Sequence, residues 1–197
     1  MDWQGTGIGN PLVVIRAVHF AATAITTGIL IFRAVVLETV ISSVSPVAIL
    51  VRARTLRVAW IGLAISAVSG VVWLLSEAVS MSGLPFAEAM TPELLSTVVN
   101  ETQFGLVSAI RLAMAVMLAG GLVYDRFAPA RGFALALSLG LVGSLAWTGH
   151  AGSTPGEMAI LHLTADILHL ADAAAWIGGL VSLVLLLSAV RDRKSVV

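Results

Sequence analysis

Long apolar stretches, parted by short polar ones, run through the chain from near its start to near its end. A helix needs about 20 mainly apolar residues to cross a hydrocarbon core of about 30 Å. Five stretches meet that need: Leu12–Phe32, Val58–Ser76, Phe104–Val123, Gly132–Gly149 and Ala173–Val190. The first is interrupted only by Arg16 and His19, and the third only by Arg111. The last extends backwards into Met158–Asp172, a helical-looking segment that contains His162, Asp166, His169 and Asp172. A sixth apolar stretch, Ala34–Val51, contains Glu38 and Pro46 and directly abuts the first span at Arg33. A hairpin that tight is disfavoured, so this stretch is expected to form a helix extension and an interfacial loop. The pattern predicts an all-α polytopic bundle of five transmembrane helices, with residues 1–197 forming a single transmembrane domain.

Composition agrees and narrows the class. Apolar residues make up 58% of the 197 and charged residues 11%, where a soluble domain is about 45–50% apolar and about 25% charged. So little charge cannot cover a water-facing surface, which excludes a soluble enzyme and a nucleic-acid binder. The 11 basic and 11 acidic residues cancel, which removes a polybasic reading. With no cysteine, thiolate metal sites, iron–sulfur clusters and cysteine nucleophiles are also excluded.

Charge placement sets the expected orientation. Arg33, Arg52, Arg54, Arg57, Arg126, Arg131, Arg191, Arg193 and Lys194 are nine of the 11 basic residues and fall on one side of a five-span chain. The positive-inside rule makes that side cytoplasmic, with the N-terminus outside and the C-terminus inside. The opposite loops hold Glu88, Glu93, Glu101 and Glu157 but no Lys or Arg. The start, Met1-Asp2-Trp3-Gln4, lacks a basic region, so the first span is expected to be an anchor and not a cleaved signal.

Ionisable residues within spans are costly and mark functional sites by default. Under this topology His19, His150, His162 and His169, the four histidines of the protein, all lie in the outer portions of three helices. Glu77 closes the outer end of the second span, and Arg16 and Arg111 lie in the outer halves of the first and third. His162, Asp166 and His169 follow i, i+4, i+7 spacing and share one helix face within about 60°. His162 and His169 are about 10.5 Å apart along the helix, too far to share an ion comfortably. The expected arrangement offers ligands at two depths, completed by His19 or His150 from neighbouring helices. An ion pair of Asp166 with Arg16 or Arg111, and simple interfacial roles for Trp147 and Trp176, are the structural alternatives.

Imidazole suits copper, zinc, iron and nickel, and carboxylate adds a harder ligand. Met81, Met90 and Met158 lie on the same outer side, and thioether favours Cu(I). The candidate metal ligands are therefore His19, His150, His162, Asp166 and His169, with Met158, Glu77, Arg16, Arg111 and Asp172 as secondary metal or polar partners. No catalytic residue is assigned, and the chain reads as a non-enzymatic membrane protein. Haem b in an electron-transfer protein is the alternative, because two inward histidines on separate helices also suit a bis-imidazole haem.

Several stretches together resemble the CopD/PcoD family of bacterial copper-resistance membrane proteins. They are Arg16-Ala-Val-His19-Phe20, Trp147-Thr-Gly-His150-Ala151 and Leu161-His162-Leu-Thr-Ala-Asp166-Ile-Leu-His169-Leu170, the last running into Ala174-Ala-Trp176-Ile-Gly178-Gly179-Leu180. The resemblance implies a multi-pass protein of the bacterial inner membrane that takes up or transfers periplasmic copper. It also implies a small periplasmic copper-binding partner of the CopC type. Family members are usually longer, with further helices after the Trp-x-Gly-Gly-Leu segment, so the chain is expected to be a short member, a split half or a truncated piece. A homodimer within the lipid bilayer would compensate for the missing helices.

Overall fold

A computed structural model describes residues 11–39, 45–148 and 158–194. Its helices are α1 (Pro11–Phe32), α2 (Pro46–Ser82), α3 (Phe86–Ala89), α4 (Pro92–Glu101), α5 (Gln103–Val123), α6 (Ala128–Gly143) and α7 (Ala159–Lys194). A π-helical turn, Arg33–Leu37, prolongs α1, and a 3₁₀ turn, Ser144–Thr148, prolongs α6. Five of the resulting rods are long and apolar enough to cross a membrane: Pro11–Leu37, Pro46–Ser82, Gln103–Val123, Ala128–Thr148 and Ala159–Asp192.

The spans agree with the hydropathy pattern, but the stretch after Arg33 differs. The helix extension is present as Arg33–Leu37, whereas Pro46 starts α2 instead of standing in a loop. Proline suits that position, because its missing N–H would lack a partner in the first helical turn anyway. Residues 40–44 lie outside the described ones. At 37 residues, α2 is about 55 Å long, well beyond a hydrocarbon core of about 30 Å. Its first turns therefore reach into the polar region with Arg52, Arg54 and Arg57.

Ion pairs tie the basic end of the bundle together. Arg33 pairs with Asp125 at 2.6 Å, Arg52 with Glu38 at 3.1 Å, and Arg54 with Asp192 at 2.6 Å. These pairs join the end of α1, the start of α2, the α5–α6 turn and the end of α7. The helices therefore alternate in direction, with α1, α5 and α7 running towards the basic end. At the other end, the short helices α3 and α4 carry Glu88 and Glu93 in their first turns.

The bundle is built around α1, which packs on α2, α6 and α7. Ile29 and Leu30 of α1 join Ala59 and Leu63 of α2, Leu118 and Leu122 of α5, and Leu137 and Leu141 of α6 in the main apolar core. Lipid tails are as apolar as leucine, so close backbone approach and hydrogen bonds must do much of the packing. Thr27 donates to the Ser138 carbonyl at 2.8 Å, linking α1 to α6. Gly28 and Gly178 bring α1 and α7 into backbone contact. A Cβ at Gly28 would fall 1.8 Å from the Ala174 oxygen, and one at Gly178 would fall 2.2 Å from the Gly28 carbonyl carbon.

Neither backbone can yield without separating the helices. Gly28→Val or Gly178→Val is expected to cost about 3 kcal/mol, the upper end of the overpacking range. Gly179, beside which nothing lies within 4 Å, should accept alanine with a change below about 0.5 kcal/mol. Thermal unfolding of the detergent-solubilised variants measures the contrast, and equal losses at positions 178 and 179 would contradict the assigned contact.

Candidate functional site

His19 is 4% exposed and its ring has partners on both sides. Nδ1 lies 2.9 Å from the Ser66 carbonyl oxygen. A carbonyl can only accept, so Nδ1 carries the proton and donates. The Ser69 hydroxyl, which itself donates to the Ile65 carbonyl, stands 3.2 Å from the same nitrogen. Nε2 is then the unprotonated nitrogen, and it accepts from Arg111 Nη2 at 2.7 Å. Gly70 gives the ring its place on α2: a Cβ there would lie 3.0 Å from His19 Cε1.

Arg111 is 6% exposed and lies well inside α5. Its other terminal nitrogen donates to the Leu141 carbonyl and the Ser144 hydroxyl. Leu141 lies in the last α-helical turn of α6, just before the 3₁₀ turn, and its carbonyl also accepts from the Ser144 hydroxyl at 2.9 Å. A buried guanidinium is thus matched by a backbone carbonyl, a hydroxyl and a neutral imidazole. Among the described residues no carboxylate pairs with it.

Trp73, one turn beyond Gly70, closes this polar centre. Its ring meets His19 edge-on at 5.6 Å and Phe104 at 5.1 Å, and the Arg16 guanidinium lies 5.3 Å from its centroid. Its indole N–H donates to Glu77 at 3.1 Å. Arg16 and Glu77 are therefore partners of Trp73. A cavity of about 250 Å³ adjoins the centre, lined by His19, Arg111 and Ser66 together with the apolar Val71, Leu74 and Leu112. A cation brought to His19 Nε2 would have to displace a guanidinium, so the centre is a polar lock, not an open ligand set.

The histidines of α7 stand apart from it. Ala174, Gly178 and Ser182 form the buried stripe of α7. At 100° per residue, Asp166, His162 and His169 lie about 80–140° around the helix from Ala174. His162, His169 and Asp172 are exposed, and Asp166 is half-buried. Since α1 and α7 run parallel and touch at Gly28 and Gly178, His19 stands level with the Asp166–His169 turn, but the two face opposite ways. Neither Arg16 nor Arg111 pairs with Asp166. Met158, at the foot of α7, is exposed and its carbonyl accepts the His162 backbone N–H at 3.0 Å. His150 lies outside the described residues.

Among the described residues, no three His, Asp or Glu side chains are gathered in an arrangement that would hold an ion within one chain. The same geometry leaves a bis-histidine haem without a pair of facing imidazoles among these residues. The residues that sequence reasoning missed are Ser66, Ser69, Gly70 and Trp73. Their signal was their spacing, since positions 66, 69, 70 and 73 repeat every three or four residues and share one face of an uncharged span.

The lock carries a prediction. Arg111→Leu should cost about 1–3 kcal/mol for each acceptor it orphans. Combining it with His19→Leu should cost less than the sum of the single losses by about 0.5–3 kcal/mol. Arg111→Lys should not restore stability, because a single ammonium cannot reach acceptors on α1 and α6 together. Unfolding monitored by tryptophan fluorescence tests this, and strictly additive losses would contradict it.

The family model described as "Copper resistance protein D-like, N-terminal domain" matches residues 8–160. Copper resistance protein D of Pseudomonas syringae pv. tomato is 34% identical over 136 residues, which are 66% of this chain and 41% of that protein. The chain therefore spans about two-fifths of the length of that relative. No solved structure matches. The matched segment takes in α1 to α6 with the whole polar lock and reaches the first turn of α7. On that match, the chain belongs to the copper resistance protein D-like family.

Proposed function

We propose that the protein is a multi-pass inner-membrane component of bacterial copper resistance that accepts periplasmic copper at the outer part of α7. Membership of the copper resistance protein D-like family, across residues 8–160, is the observation that carries this reading. The ligands in this reading are His162, Asp166 and His169, with Met158 at the same end of α7 and His150 carried as a further candidate from the sequence alone. His19 acts by positioning: its ring, locked to Arg111, fixes α1 against α2, α5 and α6, and α1 in turn seats α7 through Gly28. The acidic residues of α3 and α4 favour cation approach, within the 8–10 Å or so over which physiological salt leaves exposed charges felt. A periplasmic copper-binding protein of the CopC type is the donor that fits this arrangement. Nothing in the geometry or the relatives favours the haem alternative.

The side assignment rests on the ion-paired basic end, which the positive-inside rule places in the cytoplasm. Ala53→Cys, exposed in the first turns of α2, should react with a membrane-impermeant maleimide only after the inner membrane is opened. Labelling in intact spheroplasts would reverse the orientation and put the α7 histidines on the wrong side for periplasmic copper. For the ligands, isothermal titration of the nanodisc-embedded protein with copper should show affinity falling at least about tenfold for His162→Ala/His169→Ala. An unchanged affinity in that variant would refute the ligand assignment.

A further inference from the structure

The side of α7 turned away from the bundle carries a seven-residue repeat. His162, His169, Trp176, Leu183 and Val190 recur at that spacing and all are exposed, Trp176 to 73%. Asp172 and Gly179 lie three residues after His169 and Trp176. At 100° per residue this seam is centred about 180° from Ala174, which faces α1. A sustained seven-residue stripe keeps one seam turned to one partner helix in a left-handed pairing. Ionisable side chains inside a membrane span face protein or a water-filled space, because hydrocarbon solvates them poorly. Among the described residues nothing covers His169 and Asp172, which calls for another protein surface over them.

The donor count identifies that surface. Asp166 and Asp172 are each three residues from His169, so one helix turn offers an imidazole with a carboxylate above and below it. Within one chain no other helix adds a ligand to this turn among the described residues, and histidine–carboxylate metal sites commonly hold four ligands. A second copy, inserted in the same orientation and related by a two-fold axis along the membrane normal, brings identical residues together at each height. His169 then meets the other copy's His169, and the carboxylates, which repel one another when alone, surround a place that a cation stabilises. Gly179 leaves open space on the seam, so the helices can approach closely two to three turns deeper.

We propose that two copies of the chain pair along the α7 seam and hold one copper ion between them, on His169 and Asp172 of both copies. This rests on the copper reading above and supplies its missing ligands. The test combines native mass spectrometry with metal analysis of the full chain in nanodiscs or mild detergent, loaded with copper alone. The expected result is a dimer carrying one copper per two chains, with copper affinity at least about tenfold weaker in His169→Ala. Gly179→Trp blocks the seam without touching a ligand or clashing within the chain. It should yield a folded monomer, with the wild-type unfolding temperature, whose affinity falls as far as that of His169→Ala.

Copper bound one per chain by a monomer, or full affinity in monomeric Gly179→Trp, would overturn the pairing and leave the copper reading standing. A wild-type protein that binds no copper in any state would sink the copper reading and the pairing with it. A stoichiometric Soret band in the protein as purified would overturn the copper reading, and the copper-bridged pairing with it, and assign the imidazoles to haem.

Discussion

A guanidinium inside a membrane must find acceptors within the protein, and the arrangement of this bundle follows from how Arg111 finds them. Its fork reaches the last turn of α6 with one nitrogen and His19 with the other. There α6 ends its α-helical course at Gly143, and the Leu141 carbonyl accepts from both Arg111 and the Ser144 hydroxyl. The reach to His19 requires a neutral imidazole with its lone pair on Nε2, which the Ser66 carbonyl enforces by taking the Nδ1 proton. One charge thus fixes α1, α2, α5 and α6 relative to one another through directional bonds, where apolar packing alone discriminates weakly against lipid.

In the proposed reading, copper chemistry and structural chemistry are divided between two imidazole environments at one height of the bundle. His19 is enclosed, oriented and occupied. The α7 imidazoles are turned outward, beside carboxylates, on the same rod that α1 seats by glycine contact. An ion that must be taken up and handed on is better served by the second environment, since a fully enclosed ligand set with an arginine at its centre resists cation entry. The family match extends over the lock and ends as α7 begins, so the scaffold is the part most directly shared with copper resistance protein D-like proteins.

The spans were legible because hydropathy over about 20 residues is dictated by the bilayer itself. Arg111 and His19 stood out for the same reason, each being an interruption in an apolar run. Their mutual bond was not legible, since the partners are 92 residues apart and nothing in either span names the other. Ser66, Ser69 and Gly70 passed as ordinary members of an uncharged helix. Pro46 reads as part of an interfacial loop although it starts a helix, because a proline suits the first helical turn as well as a loop. The i, i+4, i+7 face of α7 was visible, but not the direction it faces. In a helix bathed by lipid both sides are apolar, so periodicity loses its power to mark the inside. Only the small residues Ala174, Gly178 and Ser182 mark it.

The central claim is that copper goes to the outward imidazoles of α7 while His19 keeps its bond to Arg111. Ring ¹⁵N chemical shifts of histidine-labelled protein in nanodiscs, recorded with and without diamagnetic Cu(I), test it most directly. The account predicts that the ring resonances of His169 move to metal-bound values while His19 retains its Nδ1-protonated pattern unchanged. Copper-induced movement of the His19 Nε2 resonance, with the α7 histidines left as they were, would contradict it.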